Sequence, residues 1–139
     1  MKVYVDTSVL LRKLLGEVGA LRQWNSIETA LSSELIAVEA LRTIDRARLR
    51  LRLSDDEVAN RRANVIETLG GFHLAELNRT VLDRAAQPFP TTLGTLDAIH
   101  LATALLLREF EQSAVFATHD LQLGTAARSL GFRVIGLPR

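Results

Sequence analysis

The chain contains no cysteine. That excludes a disulfide framework, a thiolate metal site and a cysteine nucleophile, and it leaves the redox compartment open. Long apolar runs are missing too: the longest, Leu101 to Leu107, is far too short to span a bilayer. The opening MKVYVDTSVL places an aspartate inside its apolar stretch, so no signal peptide is expected there. Internal repeats, low-complexity tracts and linkers are absent. Lysine is scarce, with Lys2 and Lys13 against fifteen arginines, and Trp24 is the single tryptophan. What remains is 139 residues, 47% apolar and 24% charged, a globular composition. At this length roughly 70% of the chain's surface is buried on folding, enough for one core. The expectation is one soluble, cytoplasmic domain over residues 1–139 with no membrane segment.

The net charge of +1 points to no particular partner, but its distribution is uneven. Five arginines lie between Arg42 and Arg52 against one acid, Asp45, a local charge of +4. Arginine suits phosphate because its planar fork donates two hydrogen bonds at once. A solvated helix face would account for the same residues.

Lys2 to Asp6 reads as a buried strand, and Asp6, Thr7 and Ser8 then cap a helix over Val9 to Leu15. A second helix is expected from about 20 to 30, and Leu31-Ser32-Ser33 is a short strand candidate. From Glu34 the residues Leu35, Val38, Leu41 and Ile44 recur at helical spacing. Ser54-Asp55-Asp56-Glu57 is a capping box for another helix, which should stop at Gly70-Gly71. Residues 34–69 thus read as a helical hairpin or arm. Phe72-His73-Leu74 is a strand candidate, and a helix follows near 78–87. Thr95 caps an apolar helix over 96–110, Ala114 to Ala117 is a strand, 120–130 is a helix capped by Gly131, and 133–136 is a last strand. Alternating strands and helices predict an α/β sandwich around a mostly parallel sheet.

In such a sheet, functional groups gather beyond the carboxyl ends of the strands. Asp6 and the run Thr118-His119-Asp120 follow strands, while Glu39 and Asp97 lie early in helices. Capping would explain Asp6 and Asp120, and a helix dipole Asp97. Glu39 is harder to explain so, because Leu35 to Leu41 surrounds it with apolar neighbours and an unpaired carboxylate there is costly. Four carboxylates without cysteine make a hard, oxygen-rich set that Mg2+ or Mn2+ prefers over Zn2+. Beside an arginine-rich face, that set fits phosphodiester hydrolysis by metal-activated water.

The runs Val3 to Ser8, Ser33 to Leu41, Leu96 to Ala104 and Ala117 to Asp120, with the tail Leu123 to Ile135, resemble a PIN-domain ribonuclease. The likeness is to the toxin half of a VapBC-type toxin–antitoxin pair, and it covers nearly the whole chain. It implies a three-layer sandwich with helices on both faces of the sheet. Asp6, Glu39, Asp97 and Asp120 match the family's acidic quartet around one or two divalent cations. Thr7, Ser8 and Thr118 match positions that orient these carboxylates by hydrogen bonds. The resemblance further implies a cognate antitoxin, an RNA substrate such as a loop of tRNA, rRNA or mRNA, and a homodimer. Glu34 competes with Glu39, but in the first helical turn it serves as a dipole partner. His100 is expected half-exposed on a polar stripe with Asp97, Arg108 and Glu111; His119 is assigned no catalytic role, and His73 a structural one. Trp24 is expected to anchor a core or an interface.

If the helix from Glu34 reaches residue 50, then Glu39, Arg46 and Arg50 share one stripe, flanked by Arg42. An RNA backbone could follow that basic track to the carboxylates. Leu49, Leu51 and Leu53, interleaved with arginine, exceed what one helix face can bury and are expected to meet the antitoxin. Two phosphotransfer folds are excluded: Ser8 stands where a haloacid dehalogenase needs a second aspartate, and no lysine follows a late strand as a receiver domain requires. The alternative is a PIN-like module that binds RNA or protein without cleaving.

Overall fold

β-Branched and aromatic residues at the start of the chain form β1, Lys2–Val5, the central strand of the computed structural model, which describes residues 1–138. Val3 and Val5 are buried on one face and Tyr4 on the other, the pattern of a strand covered on both sides. The remaining strands are β2 (Thr29–Ser33), β3 (His73–Ala75), β4 (Val115–Ala117) and β5 (Val134–Ile135). They lie in the order β3-β2-β1-β4-β5, and every neighbouring pair is parallel. The sheet is therefore parallel throughout the described residues.

The helices are α1 (Thr7–Leu14), α2 (Leu35–Arg50), α3 (Asp55–Leu69), α4 (Arg79–Ala85), α5 (Thr95–Arg108) and α6 (Leu121–Ser129). One apolar layer joins Val3 and Val5 to Leu10 of α1, Ile36 and Ile44 of α2, and Val58, Val65 and Leu69 of α3. The other joins Tyr4 and Phe116 to Leu101 of α5 and Leu123 and Ala127 of α6, with α4 packed on α5. Burying each large apolar side chain is worth about 1.5–3 kcal/mol. Tyr4 and Phe116 stack with centroids 5.3 Å apart, which binds β1 to β4 within the second layer.

The hairpin of α2 and α3 is present, with Ser54 Oγ accepting from Glu57 N at 3.1 Å as the capping box requires. It lies against the sheet and is no free arm, since Ile44 and Val58 belong to the core; at its tip Leu49 and Leu51 stand clear, whereas Leu53, expected to be exposed with them, packs on the first layer. The helix expected over 20–30 is not formed. A loop with a single 3-10 turn, Trp24–Ser26, occupies that stretch, and β2 already begins at Thr29. Leu21, Trp24 and Ile27 pack on the first layer, so their spacing of three reflects loop packing. Gly94, not Thr95, caps α5, and no side chain bonds to that cap. No helix among the described residues is long and apolar enough to cross a membrane.

From β1 the chain builds β2 and β3 on one side and later β4 and β5 on the other. The switch point between β1 and β4 opens a crevice at their carboxyl ends.

Candidate active site

Asp6, directly after β1, stands at the N-cap of α1 without using its side chain as a cap. Ser8 Oγ donates to Asp6 Oδ2 at 2.7 Å and Thr118 Oγ1 donates to the same oxygen at 2.9 Å. Both hydrogen bonds fall on one oxygen, which leaves Oδ1 for the crevice. Thr118 is fully buried after β4, and its Oγ1 also accepts from Asp120 N at 3.0 Å. Gly136 packs beneath this turn at φ +94, where an added Cβ would lie 2.8 Å from the Thr118 carbonyl. Only glycine suits that backbone and that approach.

Glu39 comes from α2. Thr7 Oγ1 donates to its Oε1 at 2.8 Å, and His100 Nε2 lies 2.5 Å from the same oxygen. Asp120 Oδ1 accepts from Leu123 N at 2.8 Å as the N-cap of α6, which leaves Oδ2. Three of the four carboxylates thus have one oxygen tied down and one to spare. Asp97, in the first turn of α5, is the fourth. All four line one pocket of about 390 Å³ with Thr7, Ser8, Leu11, Thr43, Arg42 and Arg46. Arg50 lies one turn beyond this rim, exposed at the end of α2. Arg42 donates to Asp45 at 3.1 Å and Arg46 to Thr43 Oγ1 at 3.2 Å. Glu34 is not among the lining residues; its Oε1 accepts from Leu77 N at 2.8 Å.

Crowding of like charge marks the site. Burial and the neighbouring Asp6 and Asp120 push the Asp97 carboxyl up to about 6. Burial also opposes ionisation of Glu39, yet the hydrogen bond and charge of His100, with the Thr7 hydroxyl, hold it below the usual carboxylate range. Burial likewise opposes the charged form of His100, but its bond to Glu39 and the surrounding carboxylates raise it above an ordinary histidine.

His100 overturns its expected place. It is not half-exposed on a polar stripe but fully buried on α5, with Nδ1 2.8 Å from Tyr4 Oη. The residues around it, Ala98 to Ala104, are all buried, and that apolar run was the available signal. His119 lies outside the pocket and bonds through Nδ1 to the Gly136 carbonyl at 2.6 Å. Trp24 is partly buried against the first layer, as a core anchor.

Among the described residues no three Asp, Glu or His side chains close into a ready ligand cluster; the carboxylates ring an open pocket. Mg2+ keeps several waters and needs only one or two carboxylates, so this oxygen set with spare lone pairs fits it. The Asp97 carboxyl, raised first by burial and then by the neighbouring Asp6 and Asp120, is a second sign of fit, because a cation would favour its charged form.

A parallel α/β sandwich with clustered carboxylates at its switch point defines a class of acidic-site domains. Residues 3–128 match the PIN domain model, and the chain belongs to that family. Relatives include Ribonuclease VapC46 of Mycobacterium tuberculosis (strain ATCC 25618 / H37Rv), 32% identical over 136 residues, covering 96% of this chain and 95% of that protein. Ribonuclease VapC47 of the same species (strain CDC 1551 / Oshkosh) is 29% identical over 132 residues, with 94% and 93% covered. Among solved structures, a toxin-antitoxin complex from Klebsiella pneumoniae shares the fold at a TM-score of 0.58 and 18% identity, over 85% of this chain and 86% of that one.

Proposed function

We propose that this pocket hydrolyses phosphodiester bonds in RNA with Mg2+ or Mn2+, and that the chain, one domain over 1–139, is the toxin of a VapBC-type pair. The observation that carries this reading is the set of four carboxylates from four elements around one pocket, three of them with one oxygen tied and one spare. Asp6, Glu39, Asp97 and Asp120 would hold the cation or cations. When bound, the metal supplies activation of water and neutralisation of phosphate charge. Ser8 and Thr118 hold Asp6 still, so its free oxygen does not have to reorganise when charge develops at the phosphate. Arg42 and Arg46 at the rim receive backbone phosphates, and Arg50 extends their line along α2.

The relatives' names support the ribonuclease reading, and the toxin–antitoxin neighbour supports an antitoxin partner. In this reading the antitoxin covers the exposed tip of the hairpin, the substrate is a tRNA, rRNA or mRNA loop, and the toxin works as a homodimer in the cytoplasm. The test is purified protein incubated with total RNA in Mg2+, Mn2+ or EDTA. Cleavage should require the metal and vanish in Asp6→Asn. Cleavage that persists in EDTA, or in a folded Asp6→Asn protein, would remove this site from the reaction.

A further inference from the structure

α2 and α5 cover opposite faces of the sheet, so their side chains meet past the carboxyl ends of the strands, where Leu35 of α2 also packs beside Ile99 and Ala102 of α5. His100 and Glu39 make that meeting, with Nε2 2.5 Å from Oε1. Behind the ring Tyr4 Oη lies 2.8 Å from Nδ1, and beside it Thr7 Oγ1 lies 3.1 Å from Nε2. Tyr4 and His100 are both sealed from solvent. A buried ring with hydrogen bonds on both nitrogens has one orientation available to it. Nε2–H donates to Glu39 whether the ring is neutral or charged. Tyr4 donates to Nδ1 in the first case and accepts from Nδ1–H in the second.

The knot reaches three of the carboxylates. Thr7 follows Asp6 in the chain, and His100 lies one helical turn after Asp97 on α5. Both hydrogen bonds to Glu39 fall on Oε1, so they also decide which oxygen is left for the pocket.

We infer that His100 is a positioning residue of the metal site. It ties Oε1 of Glu39 inward so that Oε2 is presented to the cation, and it sets the spacing between Glu39 of one layer and Asp97 of the other. Tyr4 holds the ring from behind. The inference rests on the metal-dependent reading above and deepens it.

Mn2+ alone, titrated against the full chain without RNA and followed by the loss of the free-ion EPR signal, tests this. His100→Leu, folded by circular dichroism and thermal melting in EDTA, should bind Mn2+ about 10- to 100-fold more weakly, the usual cost of losing such an outer partner. His100→Gln, whose amide N–H replaces the donor, should recover most of that affinity although it too gives up the buried ring. Tm in EDTA should fall in both variants, so only affinity separates a donor from a packing role. Wild-type affinity in folded His100→Leu overturns the inference, as does an equal loss in folded His100→Gln. Should His100→Leu not fold, the decision passes to Tyr4→Phe, which keeps the imidazole and removes the hydroxyl that orients it. Weaker Mn2+ binding there supports the inference, and unchanged binding overturns it. Wild-type protein that binds no Mn2+ overturns the metal reading and this inference together, whereas failure confined to the variants overturns the inference alone.

Discussion

The two ends of α2 break the ordinary burial pattern in opposite directions. Near its start, Glu39 joins Asp6, Thr7 and His100 in a polar group that is mostly sealed from water. About 15 Å further along, near its end, Leu49 is 83% exposed and Leu51 54% exposed. Buried polar groups are tolerated when each finds a partner, and here Ser8, Thr118, Thr7 and His100 supply those partners. Exposed leucines cost the monomer little, but they are apolar surface set among Arg46, Arg48, Arg50 and Arg52. In the proposed reading the inner end serves chemistry and the outer end a partner, and one helix holds both in register.

The comparison breaks hardest at the inner end. Asp6→Asn or Asp97→Asn should lower RNA cleavage to below about a hundredth of wild type, at least the cost of losing an outer partner. The double variant should be scarcely worse than either single, because residues that act as a unit are not additive. Near-normal cleavage by folded Asp97→Asn would show that the site is wrongly assigned. At the outer end, Leu49→Glu with Leu51→Glu should cost no more than about 0.5 kcal/mol of stability. The same pair should weaken antitoxin binding by about 100-fold, the scale of an interface hot spot. Calorimetric titration with the antitoxin and urea denaturation separate the two effects, and unaltered antitoxin affinity would move the interface elsewhere.

Between the two ends, Arg42→Ala with Arg46→Ala should reduce RNA affinity about 10-fold and lower its salt slope by about 1.4, or about 0.7 per phosphate contact on a single strand. Arg48→Ala with Arg52→Ala should do much less, and Arg50→Ala alone tells how far the track extends. Anisotropy titrations across a salt series measure all three. Equal losses from both pairs would reduce the track to bulk charge.

The smallest effect concerns stability. The Asp97 carboxyl moves from 3.8 up to about 6 through burial and its neighbours Asp6 and Asp120. Between those values the folded chain holds a proton that the unfolded chain has released, so Asp97 costs the fold stability as pH rises through this window. Asp97→Asn removes that cost. In EDTA above about pH 6.5 the variant should be more stable by about 1 kcal/mol, a figure discounted for partial exposure, and the gain should fade towards pH 4. Urea denaturation across this range checks it. A gain that persists at pH 4 would have another origin than titration.

Much of this molecule follows from local rules that a sequence displays directly. The capping box at Ser54, the stop at Gly70, the β-branched and aromatic run of β1 and the cap of α6 at Asp120 depend on residues within four positions of one another. The places of Asp6, Glu39, Asp97 and Asp120 after strands and early in helices, the apolar surroundings of Glu39 and the family resemblance together nominated the four acids. Two features were not legible. Leu21, Trp24 and Ile27 carry helical spacing, yet β2 starts early because Lys2 of β1 is there to pair with Thr29. His100 reads as one polar residue on a helix until Tyr4, Thr7 and Glu39 arrive from 96, 93 and 61 residues away. A polar side chain's burial depends on whether partners stand ready to satisfy it. Periodicity and capping are local, whereas those partners are assembled only when the two layers close over the end of β1.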